Sequence, residues 1–415
     1  MTAPDTHQAI DAIWRIEQAK IIAGLVRLTR DVGVAEEFAQ DALIAALKTW
    51  PEQGIPDNPC AWLMATAKNR ALDAWRRAKL IERTHEELGR AMDQHQMPDL
   101  DAVLDDDIGD DLLRLIFTAC HPVLSAEARV ALTLRLIGGL TTDEIARAFL
   151  AAESTIAQRI VRAKRTLTEA KVPFEVPRGA DRAARLASVL EVIYLIFNEG
   201  YSATAGEDWV RPALCEEALR LGRILAELVA EEGEVHGLVA LMEIQASRLK
   251  ARVGPNGEPI LLLDQNRARW DQLLIRRGLA ALVRAEAQGR LGPYGLQAAI
   301  AACHARARVA EDTDWPRIVS LYQKLVESTP SPVIELNLAV AVSMADGPQA
   351  GLARLDALAN EPALKNYHLL PSVRGDLLKK LGRLDEARTE FERAAQLTQN
   401  ARERALLLEK AADAN

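Results

Sequence analysis

Between Ser154 and Leu167 the chain sets Thr155, Gln158, Arg159, Arg162 and Arg165 against a stripe of Ile156, Ile160, Ala163 and Leu167. The apolar residues recur at spacings of four, three and four. A helix with that pattern buries the stripe and turns the polar set outward. Arginine can hydrogen-bond two atoms of guanine, and glutamine two atoms of adenine, along the edges exposed in a major groove. With Ser154 at the start of the same helix, the chemistry these residues offer is the reading of duplex DNA. A reading helix needs a second element to hold it across the backbone. Thr141 and Glu144 have the spacing of a capping box, and the short helix they open carries Ile145 and Phe149 one turn apart. Leu150 to Glu153 then leaves room only for a turn, so the segment predicts a helix-turn-helix. The plainer alternative, a surface helix with solvated charges, does not explain the capped helix before it.

A second polar face lies upstream. Pro56, Asp57, Asn58 and Pro59 predict a helix start, with Asn58 as cap and Pro59 in the first turn. Beyond it Met64, Ala67, Ala71, Ala74, Trp75 and Ala78 fall on one face, and Thr66, Asn69, Arg70, Asp73, Arg76 and Arg77 on the other. Arginines on such a face can hold phosphates while Asn69 and Asp73 hydrogen-bond bases. A solvated charged face is the alternative. Trp62 either stacks on an unpaired base or packs between helices. An earlier helix, 34–50, puts Glu37, Gln40 and Asp41 beside a stripe of Ala39, Leu43, Ala46 and Trp50. Acidic residues near a helix start commonly serve the helix dipole.

The elements that position these faces follow from length, composition and charge. At 415 residues the chain exceeds one ordinary core, so two to four domains are expected. Half of it is hydrophobic and 4% aromatic, a composition that favours an all-α fold. A net charge of -8 is unusual for a protein that grips DNA unaided, since phosphate contacts supply most non-specific affinity. Charge is also unevenly placed: residues 56–83 hold six Lys or Arg against three Asp or Glu, whereas 84–112 hold one against ten. The second stretch, with Pro98, carries too little apolar surface to fold alone and predicts a tether. Pro173 and Pro177 mark another break. The expected domains are therefore 1–83, a linker over 84–110, a helix-turn-helix domain over 111–172, and a helical region over 181–415. Cys60, Cys120, Cys215 and Cys303 form no paired motif and read as reduced, mostly buried thiols of a cytoplasmic protein. No export signal or membrane span is expected.

The run Ala35 to Leu43, then Trp62-Leu63, Asn69-Arg70, Asp73 and Arg76-Arg77, resembles the second conserved region of bacterial extracytoplasmic-function (ECF) sigma factors, and Leu140 to Leu167 resembles their fourth. The two stretches cover about 130 residues, and their order and separation are more specific than a lone helix-turn-helix. The resemblance implies a transcription initiation factor, not an enzyme, whose partners are promoter DNA and core RNA polymerase through its β′ clamp and β flap. It implies that Glu37, Gln40 and Asp41 dock on the clamp. Asn69, Arg70, Asp73, Arg76 and Arg77 would handle the minus-10 element, including its separated strand. Ser154, Thr155, Gln158, Arg159, Arg162 and Arg165 would read the minus-35 element. The acidic linker would lie in a polymerase channel, and polymerase would supply most of the DNA affinity that the net charge denies the free chain.

Residues 181–415 read as a helical extension. Gly375, Gly382, Ala387, Phe391 and Ala394 occupy the small and aromatic positions of a tetratricopeptide (TPR) repeat, and Ala341 and Ala353 lie 34 residues before Gly375 and Ala387 as a fainter copy. With Phe197-Asn198-Glu199-Gly200-Tyr201, Gly292-Pro293-Tyr294 and Thr313-Asp314-Trp315, this resembles the ECF subgroup with a long TPR-like C-terminal extension. That resemblance implies control by the extension, no membrane anti-sigma factor, and small DGGR-motif proteins as partners. Asn198, Glu199 and Tyr201 either line a pocket or cap helices. No metal-ligand spacing, phosphate-cradling glycine loop or serine elbow is present, His304 and His368 read as packed or surface histidines, and no cofactor is expected. Two other readings remain open: a helix-turn-helix regulator that binds an operator without polymerase, and a TPR adaptor that binds a peptide.

Overall fold

The computed structural model describes residues 3–86, 108–149, 151–203, 209–255 and 257–414. Most of the tether expected over 84–110 lies outside them. The described residues form helices and turns, with one isolated antiparallel bridge, Val253 to Pro259, and no named strand. The chain divides into two compact units, Met1–Val192 and Ile193–Asn415.

In the first unit, α1 (Ala3–Thr29), α2 (Val32–Gln53) and α3 (Pro59–Glu86) pack on one another. The chain reverses between α1 and α2 at Arg30, whose φ of 55° is a left-handed conformation, and Asp31 caps α2 by accepting from the Val34 N–H. Asn58 caps α3 as expected, accepting from the Ala61 N–H at 3.0 Å. Alanines at 35, 39, 42 and 46, all fully buried, let α2 lie close to its neighbours, and Trp50 closes the stripe. Trp62 meets Trp50 edge to face, with ring centroids 5.3 Å apart, so it packs between helices and does not stand out as a base platform.

Four further helices complete the helix-turn-helix domain: α4 (Ile108–Ala119), α5 (Ala126–Leu136), α6 (Thr142–Ala148) and α7 (Glu153–Glu169). The capping box at Thr141 and Glu144 is present in both directions. The turn into α7 closes with Ala151 N–H on Ala146 O at 2.9 Å, and its described residues need no left-handed φ. The first half of α8 (Gly179–Tyr201) also packs here: Arg185 donates to Phe117 O at 2.9 Å and Ser188 to Cys120 O at 2.6 Å.

The second unit continues as antiparallel helical hairpins: α9 (Pro212–Leu228), α10 (Gly233–Ala246), α11 (Gln272–Ala287), α12 (Pro293–Arg306), α13 (Trp315–Ser328), α14 (Pro332–Ala345), α15 (Pro348–Leu358), α16 (Leu369–Lys380), α17 (Leu384–Leu397) and α18 (Ala401–Ala412). One core runs through α10 to α13 and a second through α14 to α18. The TPR assignment at 375–394 holds physically. Ala387, Phe391 and Ala394 are fully buried, Gly382 turns the chain at φ 74°, and a Cβ on Gly375 would stand 2.7 Å from the Phe391 ring. The fainter copy fails at one position, because Ala353 is exposed. In that hairpin the close approach falls instead at Gly351, where a Cβ would lie 2.4 Å from Ser343 Cβ.

Candidate nucleic-acid interface

The helix-turn-helix places its polar face as the pattern requires. Ile156, Ile160, Ala163 and Leu167 are buried, while Ser154, Thr155, Gln158, Arg162 and Arg165 are exposed and Arg159 is half-buried. Thr155, Gln158, Arg159 and Arg162 line one side of a groove of about 370 Å³, and Val123, Leu124, Ser125 and Ala128, around the start of α5, line the other. On α5, Glu127 is held below the usual carboxylate range, first by a hydrogen bond to its own backbone N–H and by Ser125, with the Arg159 charge contributing. Arg165 bonds to Glu169 at 2.6 Å, but both are exposed, so a phosphate can compete with the carboxylate for it.

On α3, Asn69, Arg70, Asp73 and Arg76 are all exposed, with Arg76 3.4 Å from Asp73. Arg77 sits on the same helix, though its side chain lies outside the described residues. Trp75, expected on the apolar face, is 43% exposed and stands beside Asp73 and Arg76. Trp75, and not Trp62, is the exposed aromatic ring on this helix. The signal was in the sequence: Trp75 falls between Asp73 and Arg76 of the polar face, and Leu63, Ala67 and Ala71 carry the apolar burial of α3 without it. On α2, Glu37 and Asp41 are exposed and Gln40 is half-buried, its amide donating to Glu36 Oε1 at 2.9 Å. Exposed Ile44 and Leu47 extend this face, giving it an apolar end that sequence reasoning missed.

The two polar helices belong to domains that touch. Glu36, 4% exposed, accepts from Arg135 Nε of α5 at 2.7 Å and pairs with Lys164 of α7. Thr168 of α7 donates to Asp31 at 2.9 Å, Arg15 of α1 reaches Glu144 at 2.8 Å, and Arg27 lies 3.4 Å from Asp111 of α4. Lys164 and Thr168 are on the edge of α7 away from its reading face. The contact therefore holds the reading helix without covering it. Among the described residues no group of His, Cys, Asp or Glu could hold a metal ion, and no helix is long and apolar enough to cross a membrane.

Residues 14–81 match the family model for Sigma-70 region 2, residues 114–167 that for Sigma-70 region 4, and residues 185–286 a family of unknown function (DUF6596). An uncharacterized protein of Rhizobium meliloti (strain 1021) is 45% identical over 399 residues, 96% of this chain and 94% of its own length. A probable ECF RNA polymerase sigma factor, SigI of Mycobacterium tuberculosis, is 25% identical over 183 residues, covering 44% of this chain and 62% of its own. The ECF RNA polymerase sigma factor SigK of Mycobacterium bovis is 29% identical over 151 residues, 36% of this chain and 79% of its own.

Proposed function

The chain belongs to the ECF-type sigma factors, with a long helical C-terminal extension, and from that premise we propose that it recruits core RNA polymerase to promoters and helps open them. Ser154, Thr155, Gln158, Arg159, Arg162 and Arg165 read the minus-35 element. Asn69, Arg70, Asp73, Arg76 and Arg77 handle the minus-10 element, with Trp75 stacking on an unpaired base of its separated strand. Glu37, Gln40 and Asp41 dock on the β′ clamp, and Ile44 and Leu47 supply the apolar part of that contact. The observation that carries this reading is the pair of exposed polar helix faces, each backed by its own buried stripe.

The touching domains add a step. Elements centred about 25 base pairs apart at about 3.4 Å each are separated by roughly 85 Å. Even the full length of α3, 28 residues, is about 42 Å at about 1.5 Å per residue. The packed form cannot engage both elements together, so it is a resting form that opens on polymerase, with the acidic linker setting the reach. Regulation falls to the extension. A small DGGR-motif protein is the partner proposed for it. In vitro transcription with core polymerase tests the reading: promoter-dependent transcripts that need Arg159 and Asn69 support it, and duplex binding that needs no polymerase favours the operator-binding regulator.

A further inference from the structure

The second unit encloses a cavity of about 290 Å³ between α8, α10, α12, α13 and α14. None of the residues that line it is acidic, and its one permanently charged group is the Arg248 guanidinium. Arg248 is 8% exposed. It donates to the Tyr201 hydroxyl and the Gln245 amide oxygen, yet among the described residues no carboxylate pairs with it and its buried Nε has no hydrogen-bond partner. A buried cation without a counter-charge is costly, so proteins pair such groups or leave them for an anion. The surroundings do not relieve it. Arg252 lies 3.8 Å above the Tyr201 ring with no carboxylate pair among the described residues, and Arg267, 4.8 Å from the centre of the Trp270 ring, has its own nearby charges in Glu311 and Asp312. Burial, with the charges of Arg248 and Arg267, pushes His304 down to about 4, so it adds a neutral imidazole.

Other polar groups on the wall are also unspent. The Asn198 and Asn337 amides and the Tyr322 hydroxyl make no hydrogen bond among the described residues, and His304 Nδ1 is buried without one. Helix capping therefore does not account for Asn198. Glu199, by contrast, leaves the pocket to pair with Arg211. The rest of the wall is aromatic and aliphatic, and Tyr194, Tyr201 and Tyr322 are three of the chain's five tyrosines. A chain with so few aromatic residues has concentrated them here. The volume is at the small end for ligand sites and corresponds to about ten waters at roughly 30 Å³ each.

We propose that this cavity binds a small monocarboxylate with a flat apolar body, its carboxylate on Arg248 and the amide of Asn198 or Asn337, and its body against Tyr194, Phe197 and Tyr322. A planar guanidinium matches a carboxylate through two parallel hydrogen bonds. A phosphate, with more charge to neutralise, fits a single arginine less well. The proposal does not depend on the promoter-recognition reading, because it concerns binding alone.

The test is calorimetric titration of the full chain with phenylacetate, indole-3-acetate and 4-hydroxybenzoate, with phenylacetamide and inorganic phosphate as the uncharged and inorganic arms. At least one carboxylate is expected to bind and to raise the unfolding temperature by on the order of 5 °C at a hundredfold excess over Kd. Arg248→Gln is expected to weaken it about 30-fold or more. Should that variant fail to fold by circular dichroism, the double variant Asn198→Ala/Asn337→Ala and Tyr322→Ala carry the same test with smaller losses. Equal binding of phenylacetamide, preference for phosphate, unchanged affinity in the variants that fold, or no binding of any carboxylate at millimolar concentration would each overturn the proposal.

Discussion

Replacing Glu36 by Gln isolates the contact between the two DNA-facing domains. The carboxylate accepts from Arg135 at 2.7 Å and pairs with Lys164, and its side chain is 6% exposed while those of its partners are 24% and 22% exposed. A fully buried pair broken from one side costs about 3–5 kcal/mol and an exposed one at most about 1, so about 2–3 kcal/mol is expected for this intermediate case. That shifts the balance of packed and open forms by roughly 30- to 140-fold. Spin labels on cysteines introduced at the exposed positions Lys48 and Val161 would report the distance between α2 and α7. The native thiols interfere little: burial pushes Cys120 up to about 11 and Cys215 to about 12, and half-buried Cys60 can be replaced. Glu36→Gln should broaden the distance distribution toward long values and tighten polymerase binding, since apparent affinity scales with the competent fraction. A distribution that stays short, with unchanged polymerase affinity, would refute the idea that Glu36 latches the packed form.

The remaining predictions concern the two polar faces and the extension. Arg159→Ala should cost about 1–3 kcal/mol in promoter recognition and relax preference within the minus-35 element, as read by reporter output across promoter variants. Trp75→Ala should slow strand opening, losing about 1–3 kcal/mol of base stacking, while Trp75→Phe retains much of it; permanganate footprinting distinguishes them. Phe391→Ala should destabilise the last hairpins by about 3–5 kcal/mol in denaturant unfolding, and Gly375→Ala by about 1–3 through overpacking against the same ring. His304 is buried neutral, so the unfolded chain binds the extra proton. Its contribution to stability is present above about pH 6.5 and is lost as pH falls toward 4, and His304→Gln should flatten that part of the stability profile. For truncation, a cut after Val192 keeps Arg185 and Ser188 in place on α4 and α5, whereas a cut at 181 removes them.

Much of this was legible because local signals and tertiary packing agree. The capping box at Thr141, the Asn58 cap and the buried stripe of α7 each depend on residues within one or two turns, and they form as the pattern requires. Phe391 and Gly375 were readable for a related reason: a large ring needs a missing side chain opposite it, and a repeat places both at fixed spacing. What escaped depends on partners distant in the sequence. Glu36 is 99 residues from Arg135, and nothing local marks it as different from exposed Glu37. The helical pattern sets Trp75 with the apolar residues of α3, but Leu63, Ala67 and Ala71 satisfy that packing without it. The carboxylate-sized cavity joins residues from 194 to 337, and only Asn198 and Tyr201 hinted at it.

The central claim is that the chain acts on DNA as part of polymerase. Purified core enzyme, the full chain and genomic DNA should together give transcripts from discrete start sites, and Asn69→Ala with Arg159→Ala should abolish them. Transcripts that are the same without the chain, or a chain that never co-elutes with core polymerase, would contradict the account.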